Sequence, residues 1–472
     1  MKNIIAGYVV HSHLKNVSAE QAQILDIINV AFAHCVNSRI SFEHEEDLIH
    51  LKRIRAYNPD IKILFSVGGW GSGGFSPMAS TEQTRRIFAE SCLEFALKYS
   101  LDGIDIDWEY PCLDWAEIEA SPDDKENFSL MLEEMRRVFD ESGNSHLMLT
   151  IAVGNDSYFI ENTQMDRVAK CLDYVSVMTY DMRGCSDKIT GHHTNVYKYA
   201  DALERRAHRS AEHSVEIYTK AGVPANKLVI GGAFYSRMWK NTLCENGVTD
   251  GLSCKADPGN YGPSYAELKE GYIDKNGFSS YYDEKAGAAY LFDGSTFISY
   301  DNELSLKEKC RFVKEKGLLG VMYWEHSCDV TGELLNALKD GMSEPNPVNE
   351  YTVTKKLTDN WTRQARFMGI NRILLIIWSV LACINFSATL LAIRLKMSSS
   401  VIIHAAITLI CIYKLFFERR IISRRQYAFY AKTYGTTDWT RRIEFSENDI
   451  MLSECSASLK IPYSSVIKTI RP

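Results

Sequence analysis

Several kinds of chemistry are missing from this sequence. None of its 12 cysteines falls in a Cys-x-x-Cys pair, so neither a zinc knuckle nor a thioredoxin-type redox motif is indicated. Singly scattered cysteines such as Cys35 and Cys92 read as free, mostly buried thiols in a reducing compartment. There is no glycine-rich phosphate loop and no basic stripe of the nucleic-acid-binding kind. His11-Ser12-His13 and His192-His193 read as solvated loop histidines, and no acidic or cysteine partners cluster with them in the sequence. No metal, cofactor or nucleic-acid partner is therefore expected. The N-terminus, Met1 to Val10, has one basic residue and too short an apolar run for a signal peptide. It reads as a first strand, and a cytoplasmic N-terminal domain is the expectation.

Eight short apolar runs are present: Ile4–Val10, Ile28–Ala33, Lys62–Val67, Gly103–Trp108, Leu147–Val153, Tyr174–Met178, Leu228–Ala233 and Gly320–Trp324. Helical patterning fills the intervals at Glu20–Asp26, Glu45–Ala56, Thr81–Tyr99, Asp123–Glu141 and Tyr197–Ala221. Ser80-Thr81-Glu82 and Ser121-Pro122-Asp123 supply helix starts. Strands alternating with helices pair in parallel, and eight such units predict an α/β fold, a (β/α)8 TIM barrel over residues 1–342. The long interval Phe234–Leu319, rich in Gly, Tyr, Asp and Asn, predicts a small α+β insertion at about 236–289, before the eighth strand.

Residues 343–354 read as a linker, and beyond it the charge changes sign. From Lys355 onward there are 18 basic and 7 acidic residues, leaving 35 and 53 for the part before it. Ile373 to Ile393 is uncharged and bracketed by Arg372 and Arg394, long enough to cross a bilayer. Met397 to Phe417 is a second candidate span. A transmembrane hairpin within 355–432 is the expectation, with the lipid bilayer as partner. Arg363, Arg366, Arg419, Arg420, Arg424 and Arg425 put both ends in the cytoplasm by the positive-inside rule. Residues 433–472 alternate as a small β-rich cap. The hairpin and cap together loosely resemble the YcxB-like bacterial membrane domain.

The chain's densest chemistry is Asp102-Gly-Ile-Asp105-Ile-Asp107-Trp-Glu109. In a strand, Asp105, Asp107 and Glu109 share one face while Ile104, Ile106 and Trp108 share the other. Same-face neighbours lie roughly 7 Å apart, so three carboxylates crowd into a line of about 14 Å. Each ionised carboxylate raises the pKa of the next, which suits an enzyme that must keep a carboxyl protonated near neutral pH. A hard-cation site is the competing reading, but a rigid strand sets these oxygens in a row rather than around a point.

This stretch resembles the DGxDxDxE signature of family-18 glycoside hydrolases, the chitinases and their relatives. Ser66-Val67-Gly68-Gly69, Met178-Thr179-Tyr180-Asp181, Phe234-Tyr235-Ser236-Arg237 and Gly320-Val321-Met322-Tyr323-Trp324-Glu325 resemble further motifs of that family, in order, at the ends of the third, sixth, seventh and eighth runs. The resemblance covers about residues 3–340. It implies retaining, substrate-assisted hydrolysis of β-1,4-linked N-acetylglucosamine (GlcNAc) glycans, chitin or chitooligosaccharides, in an endo-acting manner and without a cofactor. It implies Glu109 as acid/base, Asp107 orienting the substrate's acetamido group, Asp105 sharing a proton with Asp107, and Tyr180 stabilising the oxazolinium-like intermediate. Trp324 would form the floor. Asp181 would help shape the distorted sugar, Tyr235 and Arg237 would form the remaining polar wall, Met178 would bind substrate, and Tyr8 and Ser66 would support Asp105. Trp70 and Trp239 are each a sugar platform or core. Two departures stand out: the loop Asp181–Asp187 lacks a tryptophan, and Ser236 stands where glycine is usual. A glycan-binding protein that does not cut, or a glycosidase acting on peptidoglycan or N-glycans, are the alternatives.

Overall fold

The computed structural model describes residues 3–184, 186–199, 208–245, 247–343, 348–353, 370–395, 397–412, 439–445, 449–454 and 457–462. The chain divides into two compact units, 1–345 and 346–472.

The first unit is a closed barrel of eight parallel strands: β1 Ile4–Val10, β2 Ile27–Val36, β3 Lys62–Gly68, β4 Gly103–Asp107, β5 Met148–Val153, β6 Tyr174–Val177, β7 Leu228–Ala233 and β8 Gly320–Trp324. Each strand pairs with the next in sequence, and β1 closes on both β2 and β8. All eight expected runs are barrel strands; β4 is shorter than its run, ending at Asp107. The strands are buried almost throughout, as parallel strands covered by helices must be.

The helices begin where local chemistry supplies orphan N–H groups with acceptors. Ser18 and Gln21 form a capping box before Ala19–Ile24, and Thr81 and Thr84 one before Glu82–Lys98. The expected helix Tyr197–Ala221 begins instead at Ala211. Ser210 caps it by accepting the His213 N–H at 3.0 Å, Tyr197–Tyr199 are not helical, and 200–207 lie outside the described residues.

The insertion is larger than expected. It is a five-stranded antiparallel sheet in the order Asn260–Ser264, Tyr235–Trp239, Phe297–Tyr300, Ala288–Phe292, Ser279–Asp283, with helix Tyr265–Gly271. An end at residue 289 would cut through Ala288–Phe292 and omit Phe297–Tyr300, the strand that pairs with Tyr235–Trp239. Trp239 is fully buried here, packed on Phe297 with its indole N–H donated to the Asp187 carbonyl at 3.0 Å. It is core, not a sugar platform.

In the second unit, Val348–Val353, Trp439–Phe445, Asp449–Glu454 and Ala457–Pro462 form an antiparallel sheet. Val348–Val353 lies within the stretch read as a linker but is a strand, because it pairs in register with Trp439–Phe445. Helices Ile370–Arg394 and Ser398–Ile412 meet through His404 Nδ1 and Asn385 Oδ1, 3.0 Å apart. Among the described residues no helix is long and apolar enough to cross a membrane, so the hairpin expected at 373–393 and 397–417 is not shown, nor is the YcxB-like domain. The second helix is described as far as Ile412; residues 413–417 and the basic residues 419–425 lie outside the described residues.

Candidate active site

Within the barrel, β4 carries the acid line between β3 and β5. Its reverse face is the apolar anchor: Ile104, Ile106 and Trp108 are buried, and Trp108 stacks on Phe75 at 5.3 Å. Gly68 and Gly69 let the β3 loop lie against this strand. Gly68 has φ +124°, and a Cβ there would sit 2.0 Å from the Asp107 carbonyl oxygen, which in turn accepts the Gly69 N–H at 2.9 Å. Only glycine fits both demands.

Asp105 is fully buried. Tyr8 and Ser66 donate their hydroxyls to Oδ2 at 2.9 and 2.8 Å, and Thr150 donates to Oδ1 at 2.6 Å. Burial raises its pKa, and the three donors partly offset this. Asp107 has no such support: its Oδ1 is buried without a hydrogen-bond partner. Burial first, then the charges of Glu109 and Asp105, push its pKa well above the ordinary carboxylate value. Glu109 lies just past the end of β4. Burial lifts its pKa to about 7, opposed by a hydrogen bond from Tyr110 and reinforced by the charge of Asp181.

Asp107 and Glu109 open onto a cavity of about 480 Å³ at the carboxyl ends of the strands, the end at which barrels place active sites. Tyr8, Trp70, Met178, Tyr180, Asp181, Tyr235, Arg237 and Trp324 line it as well. Of the expected site residues only Asp105 and Ser66 stay out of it, one layer below. Trp324 closes β8 and stacks on Phe32 at 5.3 Å, which lays it out as a flat base. Tyr180 and Tyr235 meet edge to face at 6.0 Å. Burial and the charges of Asp107 and Glu109 hold the Tyr180 hydroxyl protonated, a donor. Asp181 accepts from Arg237 Nε at 2.6 Å. Burial opposes its ionisation, but His193 and Arg237 outweigh it and hold Asp181 well below the carboxylate range. A larger groove, about 760 Å³, lies beside the loops after β1 and β8; it contains none of the acid line.

Sequence reasoning missed several parts of this site. Thr150 was a polar residue inside an apolar run, and register places it directly beside Asp105. Asn155 pins the loop after β6 by donating to the carbonyls of Met178 and Tyr180 at 3.1 and 2.7 Å. Tyr110, Trp115 and Tyr158 form an aromatic wall, with ring centroids 4.9 to 5.9 Å apart. Tyr261, from the insertion, lies 3.7 Å under the Arg237 guanidinium. His192 and His193 are not solvated: both are fully buried, and His192 Nε2 is 3.2 Å from Asp283 Oδ2. Among the described residues, Asp156, His208 and His213 bring possible ligand atoms within 4.8 Å of one another. Arg209 already pairs with that carboxylate at 2.6 Å, so the arrangement is an ion-pair cluster at the edge of the cavity.

Known proteins share this architecture. Residues 4–329 match the family described as Glycosyl hydrolases family 18. Chitinase A1 of Niallia circulans is 36% identical over 307 residues, covering 61% of this chain and 44% of that protein. Chitotriosidase-1 of Mus musculus is 31% identical over 315 residues, covering 62% and 65%. The chain thus spans less than two thirds of the length of these curated relatives. The solved structure of a family-18 N-acetylglucosaminidase from Paenibacillus barengoltzii is 49% identical and superposes with a TM-score of 0.69, covering 72% of this chain and 99% of that one. With the five motifs on barrel strand ends, the acid line between Ser66 and Thr150, and a profile match across most of the chain, the chain belongs to glycosyl hydrolases family 18.

Proposed function

We propose that this protein hydrolyses β-1,4-linked GlcNAc glycans, chitin or chitooligosaccharides, with retention and with the substrate supplying the nucleophile. The observation that carries the reading is the asymmetric acid line: Asp105 held by Tyr8, Ser66 and Thr150, Asp107 with Oδ1 buried and unpartnered, and Glu109 with its pKa lifted to about 7. Such a Glu109 is protonated enough at neutral pH to give its proton to the glycosidic oxygen, and basic enough afterwards to take one from water. In the first step the acetamido oxygen forms a bond to the anomeric carbon while the glycosidic C–O bond breaks, and the leaving sugar departs with Glu109's proton. In the second, water attacks the anomeric carbon, Glu109 takes its proton and the oxazolinium ring reopens. Family 18 departs from the two-carboxylate scheme. The unpartnered Asp107 Oδ1 is placed for the acetamido N–H, and the Tyr180 hydroxyl for the acetamido oxygen. Trp324 offers an apolar face to the pyranose.

Glu109→Gln keeps the shape and removes the proton, so turnover of an aryl chitobioside should fall by on the order of 100-fold or more. An unchanged rate would refute the assignment. A second reading, release of single GlcNAc units from a chain end, draws on the N-acetylglucosaminidase from Paenibacillus barengoltzii. Chitotetraose separates the two: an endo-acting enzyme releases mainly dimers from the first turnover, an exo-acting one monomers. Recovery of intact tetramer would favour a glycan-binding protein.

For the second unit we infer attachment to a lipid bilayer. The uncharged run Ile373 to Ile393 supports this, as do the exposed side chains of Ile384, Phe386, Leu390, Ile402 and Leu409 on its two helices. Alkaline carbonate extraction of cell membranes tests it. Recovery in the supernatant would exclude an integral anchor.

A further inference from the structure

One buried polar group behind the cavity-lining Asp181 has no partner within hydrogen-bond length among the described residues. His193 is completely buried, and neither ring nitrogen has a partner within 3.5 Å among the described residues. Its backbone, by contrast, is clamped on both sides: the N–H donates to Ser299 Oγ at 2.9 Å, and the carbonyl accepts the Met182 N–H at 3.1 Å. A core imidazole stripped of water on both nitrogens lowers stability unless something is returned.

The nearest charge is on Asp181. His193 Nδ1 lies 3.6 Å from Asp181 Oδ1, just beyond hydrogen-bond length, and Arg237 Nε donates to the same oxygen. Tyr235, from the insertion, lies across the ring at 5.4 Å. The other acidic group facing the histidine is Asp301, at the end of the insertion's Phe297–Tyr300 strand. Its carboxylate is already engaged by Lys309 Nζ at 2.6 Å, by the Ala233 N–H and by the hydroxyls of Thr194 and Ser305. Asp181 itself stands at φ 53°, a backbone region uncommon for anything but glycine, so its side-chain partners set where its carboxylate aims.

We propose that His193 is a positioning residue for Asp181, supplying Nδ1–H to Oδ1 as an uncharged second donor beside Arg237 and leaving Oδ2 to the bound sugar. The proposal rests on reading the cavity as a GlcNAc-glycoside site. It also explains why the second donor is a histidine. The negative charge of Asp181 is one reason Glu109 keeps its proton up to about pH 7. Arg237 already offsets that charge, and a second cation would cancel more of it. Burial keeps His193 neutral, outweighing the pull of Asp181, so it can steer the carboxylate without weakening its field.

The test uses the full-length protein, a chromogenic chitobioside and three variants. His193→Phe removes the donor, and kcat/KM at pH 6 should fall about tenfold. His193→Gln restores an uncharged donor and should stay within about threefold of the parent. In both, the alkaline limb near pH 7 stays in place, whereas His193→Lys moves it to lower pH; a merely structural role would not make that distinction. Parent-like kinetics in His193→Phe, or a His193→Gln no better than His193→Phe, would overturn the proposal. Should the variants fold poorly, ring 15N spectra of the unaltered histidine give the same answer. The Nδ1–H neutral tautomer is expected at pH 7 to 8, with its signals displaced by Asp181→Asn. An Nε2–H tautomer, or no response to Asp181→Asn, would refute the contact. A protein that shows this signature but cleaves no GlcNAc glycoside would sink the substrate reading and leave the His193–Asp181 contact standing.

Discussion

Replacing Thr150 by Val tests the lowest layer of the site. Valine matches threonine in shape, so the change deletes one hydroxyl at a fully buried position and opens no cavity. The deleted hydroxyl is the donor to Asp105 Oδ1 at 2.6 Å. A hydrogen bond to a charged group contributes about 1.5–3 kcal/mol, equivalent to roughly one to two units of pKa. Asp105 is already raised by burial, with Thr150 the largest of the effects that lower it; without Thr150 it rises further. The sign follows from linkage. A carboxylate whose folded-state pKa lies above its unfolded value stabilises the fold fully only below the unfolded pKa, about 3.9, and that stability is lost as pH rises through the folded value. Thr150→Val should therefore destabilise the barrel by about 1.5–3 kcal/mol at pH 7 and by clearly less near pH 3, where Asp105 is mostly protonated folded or unfolded. Urea denaturation at the two pH values, at matched ionic strength, reads the difference. Equal destabilisation at both would show that the hydroxyl does not serve an ionised carboxylate, and the account of the lower layer would fail.

The other expectations concern the upper layers. Glu109 must be protonated to act as the acid, so kcat/KM should fall about tenfold per pH unit above about pH 7; a rate unchanged to pH 9 would exclude it. Because its folded-state pKa is raised, Glu109→Gln should raise Tm at pH 7 and leave it unchanged near pH 4, as scanning calorimetry would show. Gly68→Ala places a Cβ 2.0 Å from the Asp107 carbonyl at φ +124°, so soluble yield and Tm should both drop sharply; a normally folded variant would refute the close-approach argument. The two tryptophans that sequence left open should separate. Trp239→Ala in the insertion core should lose about 3–5 kcal/mol of stability, while Trp70→Ala, exposed at the cavity mouth, should leave Tm alone and raise KM for chitooligosaccharides.

The barrel was legible because each strand is a short apolar run and each helix a longer patterned one, and those periodicities follow from local geometry alone. The acid line was legible for the same reason: a period of two sorts Asp105, Asp107 and Glu109 from Ile104, Ile106 and Trp108 before any neighbour is known. Where local signals were ambiguous the reading slipped. Tyr197 to Ala221 kept a helical pattern through Ser210, which is in fact the cap. The insertion was cut short because Phe297–Tyr300 has its meaning only as a partner of Tyr235–Trp239, some sixty positions earlier. The exposed histidine pair became a buried one because the insertion folds over it, and no local pattern records what will cover a loop.

By itself, then, the chain's order of residues determined the eight-stranded class of fold, the strand that bears the acids and the five motifs at strand ends. These depend on spacing along the backbone. Only the tertiary structure decided how the three carboxylates differ, because that depends on groups brought from elsewhere: Tyr8, Ser66 and Thr150 around Asp105, no hydrogen-bond partner on Asp107 Oδ1, and Asp181 near Glu109. It alone placed His193 against Asp181, moved Trp239 into a core and joined Tyr261 to Arg237. Burial and electrostatic coupling act through space, and the pKa differences that divide three like side chains into different roles exist only once the chain has closed on itself.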